Sequence, residues 1–334
     1  MVRVSLLRLQ FLLSQCSLTS SIKIAIFDPA KHSRDWDRFI SDEAVNASFI
    51  HSRKYIGYHG EKFYDFSLVF TVNDRIIAVV PAIKNSVTVL SHPGLTFGGI
   101  LIGKKCRHSD IATIINLAKS FLKEDKIEHV SLTLPPYIYQ SRPADDISYL
   151  LTTSGASLTR RRLLSVVDLT NQSEYSTLRK RGVKKANNNG LKVDKSKDFT
   201  TFYTILAENL ATRYAATPIH TFQEIEMLSN LFPDNIRLYM TFDGNKAIAG
   251  AVVYTSRTVF KTQYIASTAE GRNLGAVDLL LTTIIEDAHK ECKRYVDFGS
   301  SEDAPNKINP QLLFQKEGFG SRGVCLDTYT LDLL

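Results

Sequence analysis

The feature that most constrains the fold is an internal repeat. The segments DFSLVFTVNDRIIAVVPAI and NIRLYMTFDGNKAIAGAVVY each hold two apolar runs around a turn of Asn, Asp or Gly, which predicts a β-hairpin in each half. A helix follows in each copy, IATIINLAKSFLKED and LGAVDLLLTTIIEDAHKE, and then a short strand after a basic residue. Because corresponding positions lie about 170 residues apart, the repeat indicates a duplicated domain and not a solenoid.

The repeat unit predicts an α/β (α+β) fold of two tandem domains, each with a mixed, largely antiparallel central sheet flanked by helices. We place the N-terminal domain at residues 22–170 and the C-terminal domain at residues 171–334. Residues 1–21 are expected to form a poorly ordered leader or a first strand that continues into SIKIAIF. No segment reaches about 18 unbroken apolar residues, so we expect no membrane span.

The positive charge of the chain is concentrated in one place. The formal net charge is +7, and the segment RKRGVKKANNNGLKVDKSK alone holds eight Lys and Arg residues against one Asp. A local patch of this kind fits a phosphorylated small molecule at least as well as a nucleic acid, which usually needs charge spread along a face. Nucleic acid is therefore not an expected partner.

Four cysteines are scattered through the chain, and none forms a CxxC motif. This distribution predicts neither a disulfide framework nor a metal site, and it indicates a reducing compartment, so we expect a cytoplasmic protein.

Several strings, taken together and in order, resemble the GNAT N-acyltransferase superfamily and its two-domain FemABX-like branch. The resemblance extends from about residue 22 to the end of the chain. It implies that both predicted domains are GNAT-like and that the C-terminal domain carries the acyl-CoA site. Its carriers include SFIHSRKYIGYH, SHPGLTFGGIL, LRKRGVKKANNNGLKV, NLATRYAATPIHT, STAEGRNLGAVDLLL, YVDFGSSE and LLFQKEGFG.

The subgroup that fits best looks like the bacterial sugar N-acyltransferases of surface-polysaccharide pathways, which build lipopolysaccharide O-antigen and capsule. The resemblance implies that acyl-CoA donates an acetyl or short hydroxyacyl group, such as 3-hydroxybutyryl, in a ternary complex. The implied acceptor is the amino group of a dTDP- or UDP-linked amino deoxyhexose. We expect a monomer or a homodimer.

Two alternatives stay open. One is a FemABX-like transferase that takes its acyl group from aminoacyl-tRNA and acts on a cell-wall precursor. The absence of a long heptad-bearing insertion, which could serve as a tRNA-holding arm, weakens this alternative and favours acyl-CoA. The other is a non-catalytic binding module of the same fold.

The string STAEGRNLGAVDLLL follows a predicted strand and opens a helix. Backbone N–H groups at a helix N-terminus bind anions, and glycines let a phosphate approach closely. In the proteins it resembles, this junction receives the CoA pyrophosphate, although an ordinary loop that caps a helix has the same pattern. The implied cofactor-binding residues are Ser267, Gly271, Arg272, Asn273, Gly275 and Ala276, together with Gly299 at the end of the next strand.

Three residues are candidate bases for the acceptor amine. Asp297 is the only acid within an otherwise apolar strand, and a strand-end carboxylate could accept or orient the proton of the amine. His92 lies in a Gly-rich loop that duplication places beside the inter-domain cleft, and His51 lies in FIHSRKY. Imidazole titrates in a suitable range, but each of the three residues could equally be structural.

The basic segment predicts a helix that ends at Asn-Gly, with Gly190 as the left-handed cap. Arg181, Lys184 and Lys185 share one face of that helix and form a candidate site for the diphosphate of a nucleotide sugar. The complete set of predicted substrate-binding residues is Arg53, Arg181, Lys184, Lys185, Arg213, Tyr214, His220, Tyr264 and Lys316.

Overall fold

The computed structural model describes residues 21–214, 218 and 220–333, apart from the side chains of residues 61, 213 and 214. Residues 1–20, on which the leader prediction rests, lie outside this range. Within the described residues, no helix combines the length and the apolar character that crossing a bilayer requires.

The first half of the chain contains eight strands and four helices among its described residues. The strands are β1 (Lys23–Ile26), β2 (Leu68–Val72), β3 (Arg75–Val80), β4 (Ala82–Asn85), β5 (Thr88–Ser91), β6 (Leu101–Ile102), β7 (His129–Thr133) and β8 (Ser157–Asp168). The helices are α1 (Pro29–Arg38), α2 (Arg53–Ile56), α3 (His108–Glu124) and α4 (Asp146–Thr153), with short 3₁₀ turns at Phe49–His51, Gly57–Lys62 and Tyr137–Tyr139 and a π turn at Phe39–Glu43.

The second half contains eight strands and six helices among its described residues. Its strands are β9 (Lys192–Ser196), β10 (Ile236–Asp243), β11 (Lys246–Thr255), β12 (Val259–Ser267), β13 (Tyr295–Ser300), β14 (Glu302–Ala304), β15 (Lys307–Ile308) and β16 (Arg322–Asp332). Its helices are α5 (Thr177–Asn188), α6 (Phe199–Tyr214), α7 (Phe222–Leu231), α8 (Ala269–Leu274), α9 (Ala276–Lys290) and α10 (Pro310–Glu317).

The predicted hairpins form as the turn residues require. Asn73 and Asp74 adopt positive φ between β2 and β3, and Gly244 does so between β10 and β11. Asn, Asp and Gly tolerate this left-handed backbone better than other residues, which is why these positions reverse the chain.

One mixed sheet of ten strands runs through both halves, in the order β4-β5-β7-β16-β8-β13-β12-β11-β10-β9. Two neighbouring pairs are parallel, β5 with β7 and β12 with β13, and the other pairs are antiparallel. Strands β1, β2, β3 and β6 form a separate four-stranded sheet. The predicted mixed, largely antiparallel sheet flanked by helices is confirmed.

The last strands of the two halves are exchanged within this sheet. Strand β8 ends the first half but pairs with β13 of the second, whereas β16 ends the chain and pairs with β7 of the first. The two strands also pair with each other. Each half of the sheet is thus completed by the other half, while the domain bounds given above stay a prediction.

Helices cover the second half of the sheet on both faces. The apolar stripe of α9 packs with residues of α5, β11 and β13 in one core cluster. Helices α6 and α7 pack against the opposite face together with aromatic residues of the first half, among them Phe49 and Tyr55. Because this second cluster draws on both halves, it fixes their relative position and shapes the groove between them.

Candidate functional site

A cleft of about 580 Å³ lies where the two halves meet. The first half contributes the 3₁₀ turn at Gly57–Lys62, the ends of β5 and β7, and the loop at residues 92–98. Residues of β8, β12 and α7 form the rest of the wall. The polar side chains in this wall are Tyr58, His59, Lys62, Ser91, His92, Thr96, Ser131, Thr133, Arg162, His220, Glu224, Lys261 and Gln263.

The Gly-rich loop that sequence places beside the cleft does line it. Its backbone approaches the first-half wall closely, since a Cβ on Gly94 would lie less than 3.0 Å from the ring of His59. The rings of His59 and His92 lie 4.9 Å apart between centroids. His92 is therefore a cleft residue, and Gly94 is the small residue that lets the loop close over His59.

The histidines of the cleft are neutral near pH 7. Burial lowers the pKa of His59 and of His92 to about 4, and it also lowers the pKa of His220. The Nε2 atom of His59 is buried without a hydrogen-bond partner among the described residues. A neutral imidazole with a free nitrogen can accept a hydrogen bond from a substrate N–H, but a pKa of about 4 makes it a weak base.

The predicted substrate residues His220 and Tyr264 form one unit. The Tyr264 hydroxyl lies 2.5 Å from Nδ1 of His220 and accepts a 3.2 Å hydrogen bond from the His220 backbone N–H. Thr221 then caps α7, and Glu224 accepts from the Thr221 backbone N–H in return. This capping box holds His220 and Glu224 against the cleft.

Strands β12 and β13 separate where the cleft meets the sheet. Their parallel pairing ends at Lys261 opposite Asp297, and the β13–β8 register is interrupted between Asp297 and Ser300. Diverging strands leave backbone groups without sheet partners, and such groups can bind a ligand. We call this region the strand gap.

Asp297 lies in the core behind the strand gap and does not line the cleft. Its side chain is fully buried, and its two carboxylate oxygens accept hydrogen bonds from the Tyr139 hydroxyl and the Gly299 N–H, each at 2.7 Å. A carboxylate engaged on both oxygens and shielded from the cleft is poorly placed as a direct base. The carboxylate instead joins the turn at Tyr139 to the end of β13 behind the strand gap.

Lys316 reaches the same region from α10. Its ammonium donates to the carbonyl oxygens of Gly299 and Ser300, at 3.1 and 2.7 Å. Burial lowers the pKa of Lys316 to about 8, although the charge of Asp297 opposes that change. Lys316 is thus a buried cation at the end of β13, where the sequence interpretation expects a site residue.

His51 and Arg53 lie outside the cleft. His51 is fully buried, with Nδ1 accepting from the Ser48 N–H at 2.9 Å and Nε2 within 3.0 Å of the Phe97 carbonyl. Arg53 stacks on the Phe27 ring and forms an ion pair with Asp65. Because both side chains have their partners inside the first half, His51 is not placed to act as a base on a cleft substrate, and Arg53 is not placed to bind its phosphate.

The glycines predicted to admit a pyrophosphate instead admit protein backbone. A Cβ on Gly271 would lie under 3.0 Å from the Ile248 carbonyl oxygen, and one on Gly275 equally close to the Gly182 carbonyl oxygen. Ser267 donates to the Ile248 carbonyl, and the Arg272 guanidinium donates to the Ser267 carbonyl at 2.7 Å. Asn273 is exposed and Ala276 is fully buried.

Helix α5 covers this junction. Gly182 rests on the turn between α8 and α9, and Arg179 forms a 2.5 Å ion pair with Asp278 in the first turn of α9. The Asp278 carboxylate already stands where an anion would benefit from the helix dipole. In this packing the glycines of 267–276 contact protein and not a pyrophosphate, and the role of this segment in coenzyme binding stays a prediction.

The predicted phosphate-binding face of α5 points to solvent. Arg181, Lys184 and Lys185 are exposed on a helix that packs against α9, whereas the cleft is lined from the side of α7. The helix itself forms as predicted and ends at Asn188, and Gly190, with φ of 74°, follows as the left-handed residue. The side chains of Arg213 and Tyr214, two further predicted ligands, lie outside the described residues.

Sequence reasoning missed His59, Arg162 and Lys261, which all line the cleft. Arg162 is one of three consecutive arginines in TRRRLLSVV, and Lys261 is a lone cation in the strand VFKTQYIAS. A charge inside an apolar strand was the available signal, and the same signal did identify Asp297.

Comparisons with known proteins agree with this architecture. Residues 176–305 match a family model described as an acetyltransferase (GNAT) domain. The structure is similar to the crystal structure of FemX, at 11% identity and a TM-score of 0.67, over 93% of this chain and 97% of that one. The fold is a tandem GNAT fold in the FemX-like arrangement.

Two further structures support the same fold. A tandem GNAT protein from the clavulanic acid biosynthesis pathway superposes with a TM-score of 0.50 at 11% identity, over 94% of this chain and 99% of that one. L-PGS from Bacillus licheniformis does so with a TM-score of 0.53 at 9% identity, over 80% and 82%. No curated protein matches the sequence.

Proposed function

We propose that this protein is an N-acyltransferase whose active site is the cleft beside the strand gap. The acceptor that we propose is the amino group of a nucleotide-linked amino deoxyhexose, with a dTDP or UDP carrier. The observation that carries the proposal is the coincidence, in a tandem GNAT fold, of the cleft, the strand gap and neutral histidines.

In the proposed reaction, the amine nitrogen attacks the carbonyl carbon of an activated acyl donor. A C–N bond forms and the bond to the leaving group breaks. The amine proton is relayed to the leaving group, and His92 or His59 accepts the hydrogen bond that orients the amine, so protons balance. Positioning two substrates in one cleft can lower the barrier by about 7–11 kcal/mol at best.

Charge develops on the carbonyl oxygen as the amine attacks. Backbone N–H groups in the strand gap and the ammonium of Lys316 lie at the end of β13. Fixed donors of this kind stabilise an oxyanion better than mobile water does. Asp297 and Tyr139 act through the shape of the gap and do not touch the substrate in this proposal.

The sequence resemblance names acyl-CoA as the donor, and the GNAT domain match favours it. The covering of residues 267–276 by α5 means that such a donor would need a different place for its pyrophosphate. That same observation favours a second candidate, a FemX-like transfer from aminoacyl-tRNA. Both candidates place the acyl carbonyl at the strand gap.

The test is a donor-by-acceptor panel read by mass spectrometry. Acetyl-CoA, 3-hydroxybutyryl-CoA and charged tRNA are each offered with dTDP- and UDP-linked amino sugars, and reactions with heat-denatured protein serve as the control for background transfer. An N-acylated sugar formed only with the unaltered chain supports the proposal. Product with charged tRNA alone selects the second candidate, and no product from any pair counts against both.

A further inference from the structure

We propose that Arg162 and Lys261 bind a phosphate group of a substrate within the cleft. The inference rests on the proposed function, because it names the chemistry by which the same cleft recognises its substrate. It also moves the phosphate site away from α5, where the local concentration of charge in the sequence had placed it.

Arg162 differs from its two neighbours in strand β8. Arg160 pairs with Glu302 at 3.3 Å, and Arg161 makes a two-pronged contact with Asp327 at 2.7 Å for each nitrogen. Among the described residues, no carboxylate lies within 4.0 Å of Arg162. The alternating side-chain directions of a strand send Arg162 into the cleft wall and Arg161 away from it.

The guanidinium of Arg162 is also short of hydrogen-bond partners. Its Nε atom is buried with no acceptor in the described part of the chain, and its Nη2 atom reaches the Thr96 carbonyl only at 3.5 Å. A guanidinium stays charged at any physiological pH, so burial without a counter-charge is unfavourable. An anionic ligand in the cleft would supply the missing acceptor.

Lys261 contributes a second cation from strand β12. Its ammonium donates to the Gln263 amide oxygen at 2.7 Å, and the described residues place no carboxylate within 4.0 Å. Asp297 is its register partner, but the oxygens of that carboxylate are taken by Tyr139 and Gly299. Arg162 and Lys261 therefore lie on the two strands that flank β13, and both face the cleft. Neither forms an ion pair with a carboxylate of the described residues.

The rest of the wall suits an anion of moderate size. Glu224 is the acidic side chain in the described lining, and its carboxylate is engaged by the helix cap at Thr221. A volume of about 580 Å³ lies within the usual range for small-molecule sites. An arginine fork and a lysine bind phosphate through paired hydrogen bonds and charge.

A phosphate of this kind could belong to the nucleotide diphosphate of the acceptor or to the coenzyme of the donor. Isothermal titration calorimetry with pyrophosphate, UDP and CoA, each alone, separates these sources without any need for catalysis. We expect Arg162→Gln to weaken pyrophosphate binding roughly tenfold or more, and Lys261→Gln to weaken it as well. A matching loss for UDP alone assigns the site to the acceptor, and for CoA alone to the donor.

Arg161→Gln is the matched control, because it removes a neighbouring arginine that points away from the cleft. We expect it to change binding by less than about twofold. Circular dichroism and thermal unfolding establish that each variant is folded. Should Arg162→Gln fail to fold, Arg162→Lys and Lys261→Gln carry the same comparison.

Three results would overturn the inference. One is a folded, unaltered chain that binds none of the three ligands at millimolar concentration. The second is equal binding by the Arg162→Gln variant, and the third is a loss that follows Arg181→Ala with Lys185→Ala on α5 instead. Two further outcomes separate this inference from the proposed function. If ligand binding depends on Arg162 but no donor gives acyl transfer, this inference holds and the proposed function is wrong. If acyl transfer occurs and Arg162→Gln leaves KM unchanged, the proposed function holds and this inference is wrong.

Discussion

The hydroxyl of Tyr139 donates a 2.7 Å hydrogen bond to Oδ2 of Asp297, although 158 residues separate the two along the chain. Tyr139 comes from a 3₁₀ turn of the first half and Asp297 from β13 of the second, and both side chains are buried. This bond joins the halves behind the strand gap. The buried Asp297 carboxylate has only one other hydrogen-bond donor among the described residues, the Gly299 N–H, so the Tyr139 hydroxyl is needed to satisfy it.

Tyr139→Phe should therefore destabilise the protein. Removing the hydroxyl leaves a buried carboxylate oxygen without a donor, which costs about 1–3 kcal/mol. Chemical denaturation measures the change in the free energy of unfolding. Tyr137→Phe is the matched control, because Tyr137 is 55% exposed and should change stability by less than about 0.5 kcal/mol. Equal effects of the two variants would show that the Tyr139–Asp297 bond contributes nothing.

His51 gives the protein a stability that depends on pH. Burial lowers its pKa to about 4 from the usual 6.5, so the unfolded chain binds a proton more readily than the folded one. The contribution of neutral His51 to the free energy of unfolding is complete above pH 6.5 and is lost as the pH falls towards 4. At about 1.36 kcal/mol for each pKa unit, it amounts to roughly 3 kcal/mol.

We expect His51→Gln to flatten part of the acid dependence of unfolding between pH 6.5 and 4. Protonation of His51 would set a ring N–H at Nδ1 against the Ser48 N–H that it now accepts from, and glutamine has no such transition. Denaturant titrations at closely spaced pH values measure the slope. Slopes that coincide with those of the unaltered chain would mean that His51 does not titrate in this range.

Lys316 should set the alkaline limit of activity in the proposed reaction. Because burial lowers its pKa to about 8, the ammonium is charged below that pH and neutral above it. We expect kcat to fall as the pH rises through 8. Lys316→Arg keeps the charge and should move this limit upward, and Lys316→Met should lower kcat by roughly tenfold or more at every pH.

A pH profile of kcat for the three proteins checks this prediction. The profile uses whichever donor and acceptor give product with the unaltered chain. An alkaline limit that stays at the same pH in Lys316→Arg would assign the titration to another group.

The sequence predicted the hairpins and the helices because each depends on local residues, and the mixed sheet was inferred from the repeated order of these elements. Asn73, Asp74 and Gly244 favour a reversal wherever they occur, and the stripe of α9 needs an apolar neighbour of any identity. The exchange of β8 and β16 could not be predicted in this way. Each strand could pair with a neighbour from either half and still place its apolar residues on the buried face. Pairing between distant strands is decided by the whole sheet, and no local pattern encodes it.

The candidate site was predicted in part for the same reason. His92 was placed correctly beside the cleft because its loop occupies an equivalent position in the repeat. Arg162 and Arg161 cannot be told apart in the string TRRR until the partners of each are known. The packing of α5 on Gly275 could not be predicted, because a glycine that admits phosphate and one that admits a helix backbone have the same sequence pattern.

This distinction can be tested at Gly275. Alanine there would need φ near 80° and would bring a Cβ within 3.0 Å of the Gly182 carbonyl in α5. The left-handed backbone costs about 1–2 kcal/mol, and the overpacking adds about 1–3 kcal/mol. Gly244→Ala is the matched control, because Gly244 also has positive φ but has nothing within 4 Å of an added Cβ.

We expect Gly275→Ala to lower the free energy of unfolding clearly more than Gly244→Ala does, with the difference measured by chemical denaturation. Gly182→Ala should have a similar effect, since its Cβ would meet the Asp278 carboxylate that Arg179 holds. Equal losses for Gly275→Ala and Gly244→Ala would mean that α5 can move aside from the α8–α9 turn. The predicted pyrophosphate site at this turn would then be open to a ligand, and the pyrophosphate of acyl-CoA could bind there.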